Sequence, residues 1–405
     1  MATSVKSADI DTVRSADRLL SIAMSLRCLI GLNLVWIGPL IPSIAAAQSA
    51  SLAETGFLVS SYYVGAIPTM VSGRWFLSRL GVKGSLKLAS LLMGLGLLIV
   101  AFVQGMPLLW IGSLIFGLGS GLTVISGSVF ALICGRDNPA SLLNKLAMFY
   151  GFGALSGPLV AWLGCQTPWS YHIVYLVGAA YAFLIGLILM QENKGEGRFE
   201  IPREKAPGNA HLAMDVWMCA LLLLLYIGVE IGATAWLYTY MTEACKLPAG
   251  ASALGVSLLC AGLTFGRFIG IYLCRRFNLH FITVLFMLIS TGSIFALAFY
   301  PAMGMVALLV SVCMGMGFGP VYPNILASIS NKYPEEVDTV APIVISTSFA
   351  GGVFMPFIIA LVFEHVGLKE GMGIIGMTNV AVLLFYMVIR RIYLKTSGSQ
   401  VVATR

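Results

Sequence analysis

The sequence predicts an all-α integral membrane protein of twelve transmembrane helices, arranged as two pseudo-symmetric six-helix bundles. Three observations carry that prediction. Of 405 residues, 59% are hydrophobic and 10% charged, and the mean hydropathy is +0.92, a balance foreign to soluble domains. The basic residues sort almost entirely to one side of the predicted spans. Short glycine motifs of the first half recur in the second half in the same order.

A spanning helix needs about 20 mostly apolar residues. Windows of that kind fall at 21–46, 55–77, 84–104, 107–134, 143–165, 171–191, 214–243, 249–274, 279–300, 302–329, 339–365 and 371–391. Cationic loops resist translocation, so the Lys and Arg side chains report orientation. With both termini cytoplasmic, 22 of the 24 lie on the cytoplasmic side or at adjoining helix ends, and Lys246 and Lys369 lie outside. One missed or invented span would reverse every later loop, which supports the count of twelve. The net charge of +7 is then positive-inside topology, and nucleic-acid binding has no support.

The first 20 residues lack the apolar core of a cleavable signal peptide, so 1–20 is expected to be a cytoplasmic segment, with the first span as its own insertion signal. A charged stretch, Gln191 to Asp215, holds Gly and Pro and separates six spans from six. The expected layout is a bundle over 21–191, a cytoplasmic linker over 192–213, a second bundle over 214–392 and a cytoplasmic tail over 393–405. The expected location is a cell membrane, of the bacterial inner-membrane type. Eight cysteines are scattered without metal-ligand spacing and read as small packing residues.

Internal repetition supports the two halves. "GLGSG" (Gly117, Gly119, Gly121) in the fourth span is matched 198 residues later by "GMGFG" (Gly315, Gly317, Gly319) in the tenth. Gly153 and Pro158 of the fifth span are matched at the same offset by Gly351 and Pro356. "GRWFLSRLG" at the end of the second span pairs with "GRFIGIYLCRRF" at the end of the eighth. Parallel order implies halves of the same topology, related by an axis along the membrane normal.

These features resemble the major facilitator superfamily over nearly the whole chain. "YIGVEIGATAWLYTYMTE", "GPVYPNILASI" and "FAGGVFMPF" in the second half resemble its fucose/glucose proton-symporter branch. The resemblance implies alternating-access transport of a small solute by a monomer, with Arg74, Arg79, Arg267, Arg275 and Arg276 as cytoplasmic gate residues. Departures are visible: Ser78, not an acid, precedes Arg79, and the first and fourth spans hold no acid where the fucose symporter has them.

Among the 17 acidic residues, Glu230 alone lies well inside a span. A charge there costs about 2.5 to 3.5 kcal/mol on insertion scales, so such residues face a cavity or a partner. Gly228 and Gly232 share one helix face suited to close packing. Glu230 is about 200° from Gly228 around the helix and points away from that face. It is the expected proton-coupling carboxylate. The alternatives are a carboxylate locked in hydrogen bonds, a sodium site, or an ion pair. Arg267, seven residues before the end of its span, has a second reading as a contact for an anionic substrate. Arg27 is expected to snorkel to the cytoplasmic face.

Asn33 and Trp36 of the first span, Tyr226 and Trp236 of the seventh, and Tyr322 and Asn324 of the tenth are the candidate substrate-binding groups. Amides in hydrocarbon need partners, and aromatic faces stack on sugar rings. Gly and Pro in "GMGFGPVYPN" and "IGPLIP" loosen helices that must bend.

The expected function is a proton-coupled secondary transporter of a small polar solute, sugar-like by the second-half resemblance. The alternative is a proton-driven exporter, on the partial antiporter signature "GALSGPLVAWLG"; a facilitator, receptor or channel fits less well. No phosphate-binding Gly-Lys-Ser/Thr loop and no convergent His set is present. No enzyme activity, metal or organic cofactor is therefore expected, only a coupling ion, H+ or Na+.

Overall fold

The computed structural model describes residues 2–134, 139–191 and 213–392. Among them every long element is helical: α1 (Ala2–Gln48), α2 (Leu52–Val71), α3 (Gly73–Phe102), α4 (Met106–Cys134), α5 (Pro139–Cys165), α6 (Ser170–Gln191), α7 (Met214–Glu243), α8 (Ala249–Cys274), α9 (Leu279–Phe299), α10 (Val306–Phe318), α11 (Val321–Lys332), α12 (Val337–His365) and α13 (Leu368–Ile392). With α10 and α11 as two parts of one span, these are the twelve predicted crossings. Eleven of the described spans are long and apolar enough to cross a membrane. The twelfth, α2, carries Thr55, Ser60, Ser61 and Thr69, all buried, which dilute its hydropathy.

Three boundaries differ from expectation for local reasons. The predicted segment 1–20 is helical and continuous with the first span, as α1 runs from Ala2 onward. The predicted tenth span is interrupted at Gly319 and Pro320. Proline has no N–H to donate to the preceding turn and its ring crowds the carbonyl four residues back, so the helix restarts after it; the Asn324 N–H then bonds Pro320 O at 3.0 Å. Finally, "GRWFLSRLG" is not the end of the second span. α2 stops at Val71, and residues 73–80 form a helical stretch that ends at Gly81 (φ 66°, ψ −179°) before α3 continues. A side chain at that φ would be strained, which is why glycine marks the kink.

The chain divides into two compact units. Unit 1 comprises Met1–Trp36 and Ser61–Arg203; unit 2 comprises Ile37–Ser60 and Glu204–Arg405. Residues 37–60 thus group with the second half, although they precede the linker. Within unit 2, Gly38 of α1 lies against the Ala235 carbonyl, and Gly56 of α2 against Ala360 and the Pro356 carbonyl. The start of α2 is closed by a reciprocal cap, the S-x-x-E box of Ser51 and Glu54. Ser51 N–H donates to Glu54 Oε2 at 2.8 Å, and Glu54 N–H to Ser51 Oγ at 3.2 Å. The adjacent Ala53 N–H donates to the Glu364 carboxylate of α12 at 2.9 Å.

The repeated glycines perform the same packing in each unit. A Cβ on Gly117 of α4 would overlap the Tyr62 carbonyl of α2, and one on Gly315 of α10 would overlap the Leu259 carbonyl of α8. Gly153 of α5 meets the Cys28 carbonyl of α1, as Gly351 of α12 meets the Leu224 carbonyl of α7. Without a hydrophobic drive between helices in lipid, close backbone approach through small residues supplies the association. The 198-residue offset in the sequence is therefore a repeat of helix–helix contacts.

Candidate functional site

Unit 2 brings one charged cluster into its interior. Gly228 and Gly232 of α7 face Met355 and Gly351 of α12, so the small-residue face packs as its pattern predicts. Glu230 is on another side of α7, half-buried. The groups that act electrostatically on its carboxylate are Arg267 of α8 and Tyr226, one turn earlier on α7. Tyr322 of α11 and Cys260 of α8 lie within the field of the same Glu230 and Arg267 charges. Three of the predicted residues, Tyr226 of α7, Arg267 of α8 and Tyr322 of α11, are thus electrostatically coupled to one carboxylate, and Cys260 joins them.

The hydrogen bonds separate groups that hold the fold from groups left available. The Tyr226 hydroxyl donates to the Phe318 carbonyl at the end of α10 and its ring packs edge-on against Phe318, bracing the helix break. Trp236 is fully buried, donates Nε1–H to the Pro356 carbonyl at 2.9 Å and packs edge-on against Phe363. Asn324 donates its amide to Thr283 Oγ1 at 3.1 Å and accepts from Cys274 Sγ at 3.9 Å. Glu230 and Arg267, by contrast, are not joined to each other or to another described residue by an ion pair, and Tyr226 is the hydrogen-bonding neighbour of the Glu230 carboxylate.

In unit 1, Asn33 is 7% exposed. Its amide makes no hydrogen bond with a described residue and is not sealed off. Trp36, 2% exposed, packs edge-on against Tyr175 of α6 with its Nε1 buried and unbonded. Arg27 does not snorkel. Its Nη2 donates to the Val124 carbonyl and to Ser128 Oγ of α4, both at 3.0 Å, because those acceptors lie within the bundle at its own depth.

The arginines expected at the gate fall into two groups. Arg74 and Arg79 are exposed on the short stretch before the Gly81 kink, and Arg275 and Arg276 are exposed at the end of α8. Arg79 lies over the Trp75 ring at 5.4 Å, and Arg276 over the Tyr272 ring at 5.3 Å. Arg267, half-buried beside Glu230, stands apart from all four.

One ionic cluster escaped the sequence reading. Asp215, 4% exposed at the start of α7, accepts from Lys332 Nζ at 2.6 Å and from the Tyr333 hydroxyl at 2.8 Å. It ties α7 to the end of α11. Asp215 sits at the edge of a charged linker, and nothing in its neighbourhood announces a partner 117 residues away.

A sequence profile of the Major Facilitator Superfamily matches residues 23–356. The vacuolar basic amino acid transporter 5 of Saccharomyces cerevisiae is 29% identical over 171 residues, covering 40% of this chain and 29% of that protein. The chain therefore spans less than a third of this relative. Solved structures share the fold. A bacterial homologue of the human lysosomal transporter Spinster, inward-facing and unoccupied, superposes with a TM-score of 0.79 at 14% identity, over 94% of this chain and 98% of that one. A D-xylose-proton symporter gives 0.74 at 17% identity, over 90% and 96%. The E. coli fucose:proton symporter gives 0.59 at 17%, over 91% and 98%.

Proposed function

Because the chain belongs to the Major Facilitator Superfamily and is a multi-pass membrane transporter, we propose that it moves a small polar solute by alternating access, coupled to protons through Glu230. The observation that carries this reading is the pair Glu230 and Arg267 inside unit 2, near in charge but not joined. A carboxylate held that way can alternate between protonated and ionised states as its surroundings change during the cycle. Tyr322 is positioned to sense the same change.

In unit 1, Asn33 and Trp36 are the proposed solute contacts, with Asn33 leading because its amide remains available; in unit 2, Tyr322 is the proposed contact. Tyr226, Trp236 and Asn324 act one step back, holding the helices that frame the site. Arg74, Arg79, Arg275 and Arg276 serve the cytoplasmic gate, where exposed cations also fix topology. A sugar-like solute is favoured by the second-half motifs and by the fold shared with xylose and fucose symporters. The one-sided distribution of Lys and Arg supports cytoplasmic termini; a bacterial inner membrane and a monomer are proposed alongside.

The test is uptake into proteoliposomes of hexoses, fucose, amino acids, short organic anions and a cationic dye, with and without an imposed pH gradient. Wild type concentrates one solute only with the gradient. Glu230→Gln still exchanges that solute but cannot concentrate it. Gradient-driven movement in the opposite sense establishes export instead, and a Glu230→Gln protein that accumulates like wild type removes Glu230 from the mechanism.

A further inference from the structure

Unit 1 contains a cation to which no described residue gives a counter-charge. Arg27 of α1 is half-buried. Its Nη2 is fixed by the Val124 carbonyl and by Ser128 Oγ, and Ser128 in turn donates to the same carbonyl at 2.8 Å. Both partners are neutral. Arg27 Nε is buried with no acceptor. Nη1 is neither hydrogen-bonded to a described residue nor sealed from solvent. Positions 18–36 and 61–136 of unit 1 contain no Asp or Glu.

The guanidinium stays charged in proteins and presents its donors in a rigid fork suited to oxyanions. Holding it inside a bundle without an anion is costly, and intramembrane cations of this kind mark ligand or ion pathways. Around it stand hydroxyls and no carboxylate. Tyr62 of α2 and Tyr150 of α5 are close enough to act on its charge, and Tyr62 is held in place by Ser120 at 2.6 Å. Arg27 is therefore fixed at one nitrogen by α4, with unsatisfied donors remaining and tyrosine hydroxyls nearby.

We infer that Arg27, with Tyr62, Tyr150 and Ser128 around it, is an anion subsite of unit 1 that takes the carboxylate of a small solute. This rests on the transporter reading above and narrows the solute from a neutral polar molecule to an acidic one, a sugar acid if the sugar-like reading holds. Nη1 supplies the donor that solvent reaches, and Ser128 of α4 helps to hold the guanidinium in place.

The experiment is calorimetric titration of the purified full-length chain with D-glucose and D-glucuronate, which share a ring and differ by a carboxylate. D-lactate and inorganic phosphate are separate arms. Wild type is expected to bind glucuronate at least tenfold more tightly than glucose. Arg27→Gln loses that preference, and Arg27→Lys, which keeps the charge but not the fork, falls between. If neither sugar binds but lactate or phosphate does so in an Arg27-dependent way, the anion subsite stands and the sugar-like reading falls. If glucose and glucuronate bind equally, the subsite is overturned while the sugar-like reading survives. Binding of none of the anions, or anion binding indifferent to Arg27, overturns it as well. Should Arg27→Gln fail to elute as a folded protein, the wild-type preference and the Arg27→Lys variant decide the matter.

Discussion

Arg267 of α8 and Glu230 of α7 act on each other's charge without an ion pair between them. Groups coupled in this way respond together to substitution. Removing either charge changes the field at the other, so the two single variants do not add. A double-mutant cycle of Glu230→Gln and Arg267→Gln, read as the ratio of gradient-driven to exchange transport, is expected to give a coupling of about 0.5–3 kcal/mol. Additive effects would show that the pair works as two separate residues.

The glycine repeat makes a paired prediction on stability. Gly153→Ala and Gly351→Ala each drive a Cβ into a neighbouring backbone carbonyl, at Cys28 and Leu224, and backbone cannot yield as a flexible side chain can. Each is expected to lower stability by about 1–3 kcal/mol or more. Gly292→Ala is the control, since a Cβ there meets nothing within 4 Å. That change is expected to be neutral or to raise stability by up to about 1 kcal/mol through helix propensity. Thermal unfolding in detergent compares the three.

Asp215→Asn breaks the ionic tie between α7 and α11. The pair is short, 2.6 Å, but the Lys332 side chain is 25% exposed against 5% for Asp215. The expected loss is about 1–3 kcal/mol, below the value for a fully buried pair. Lys332→Met leaves the carboxylate buried with Tyr333 alone, and is expected to cost at least as much by the same unfolding measurement.

Tyr333 supplies a dependence on pH. Burial, followed by the hydrogen bond to Asp215 and its charge, pushes the hydroxyl from 10.0 up to about 12. A tyrosine in the unfolded chain ionises first as pH rises. The stability that Tyr333 contributes is therefore complete below pH 10 and is lost as pH climbs toward about 12. Tyr333→Phe is expected to flatten that part of the alkaline fall in the unfolding midpoint, and an unchanged slope would refute it.

Trp236 and Asn33 separate framework from contact. Trp236→Phe removes the N–H that meets the Pro356 carbonyl, with an expected cost of about 1 kcal/mol in stability and little change in solute affinity. Asn33→Ala removes an amide that no described residue uses, and is expected to leave stability nearly intact while weakening solute binding. Unfolding and binding measurements on both variants test the contrast.

Topology was legible in the residues because it depends on quantities that sum along the chain. Apolar length, the one-sided distribution of Lys and Arg and the 198-residue glycine offset each average over many positions, so twelve crossings and two like halves followed without any contact being known. The packing face of α7 was legible too, since Gly228 and Gly232 lie on one side of a helix whatever it packs against. Partners were not. Asp215 meets Lys332 across 117 residues, Arg27 turns inward to Val124 rather than outward to lipid headgroups, and Trp236 gives its N–H to a carbonyl instead of keeping it for a ligand. A polar side chain in a low-dielectric interior bonds to whichever group the packed helices bring within reach. That choice belongs to three-dimensional proximity, and the order of residues does not encode it locally.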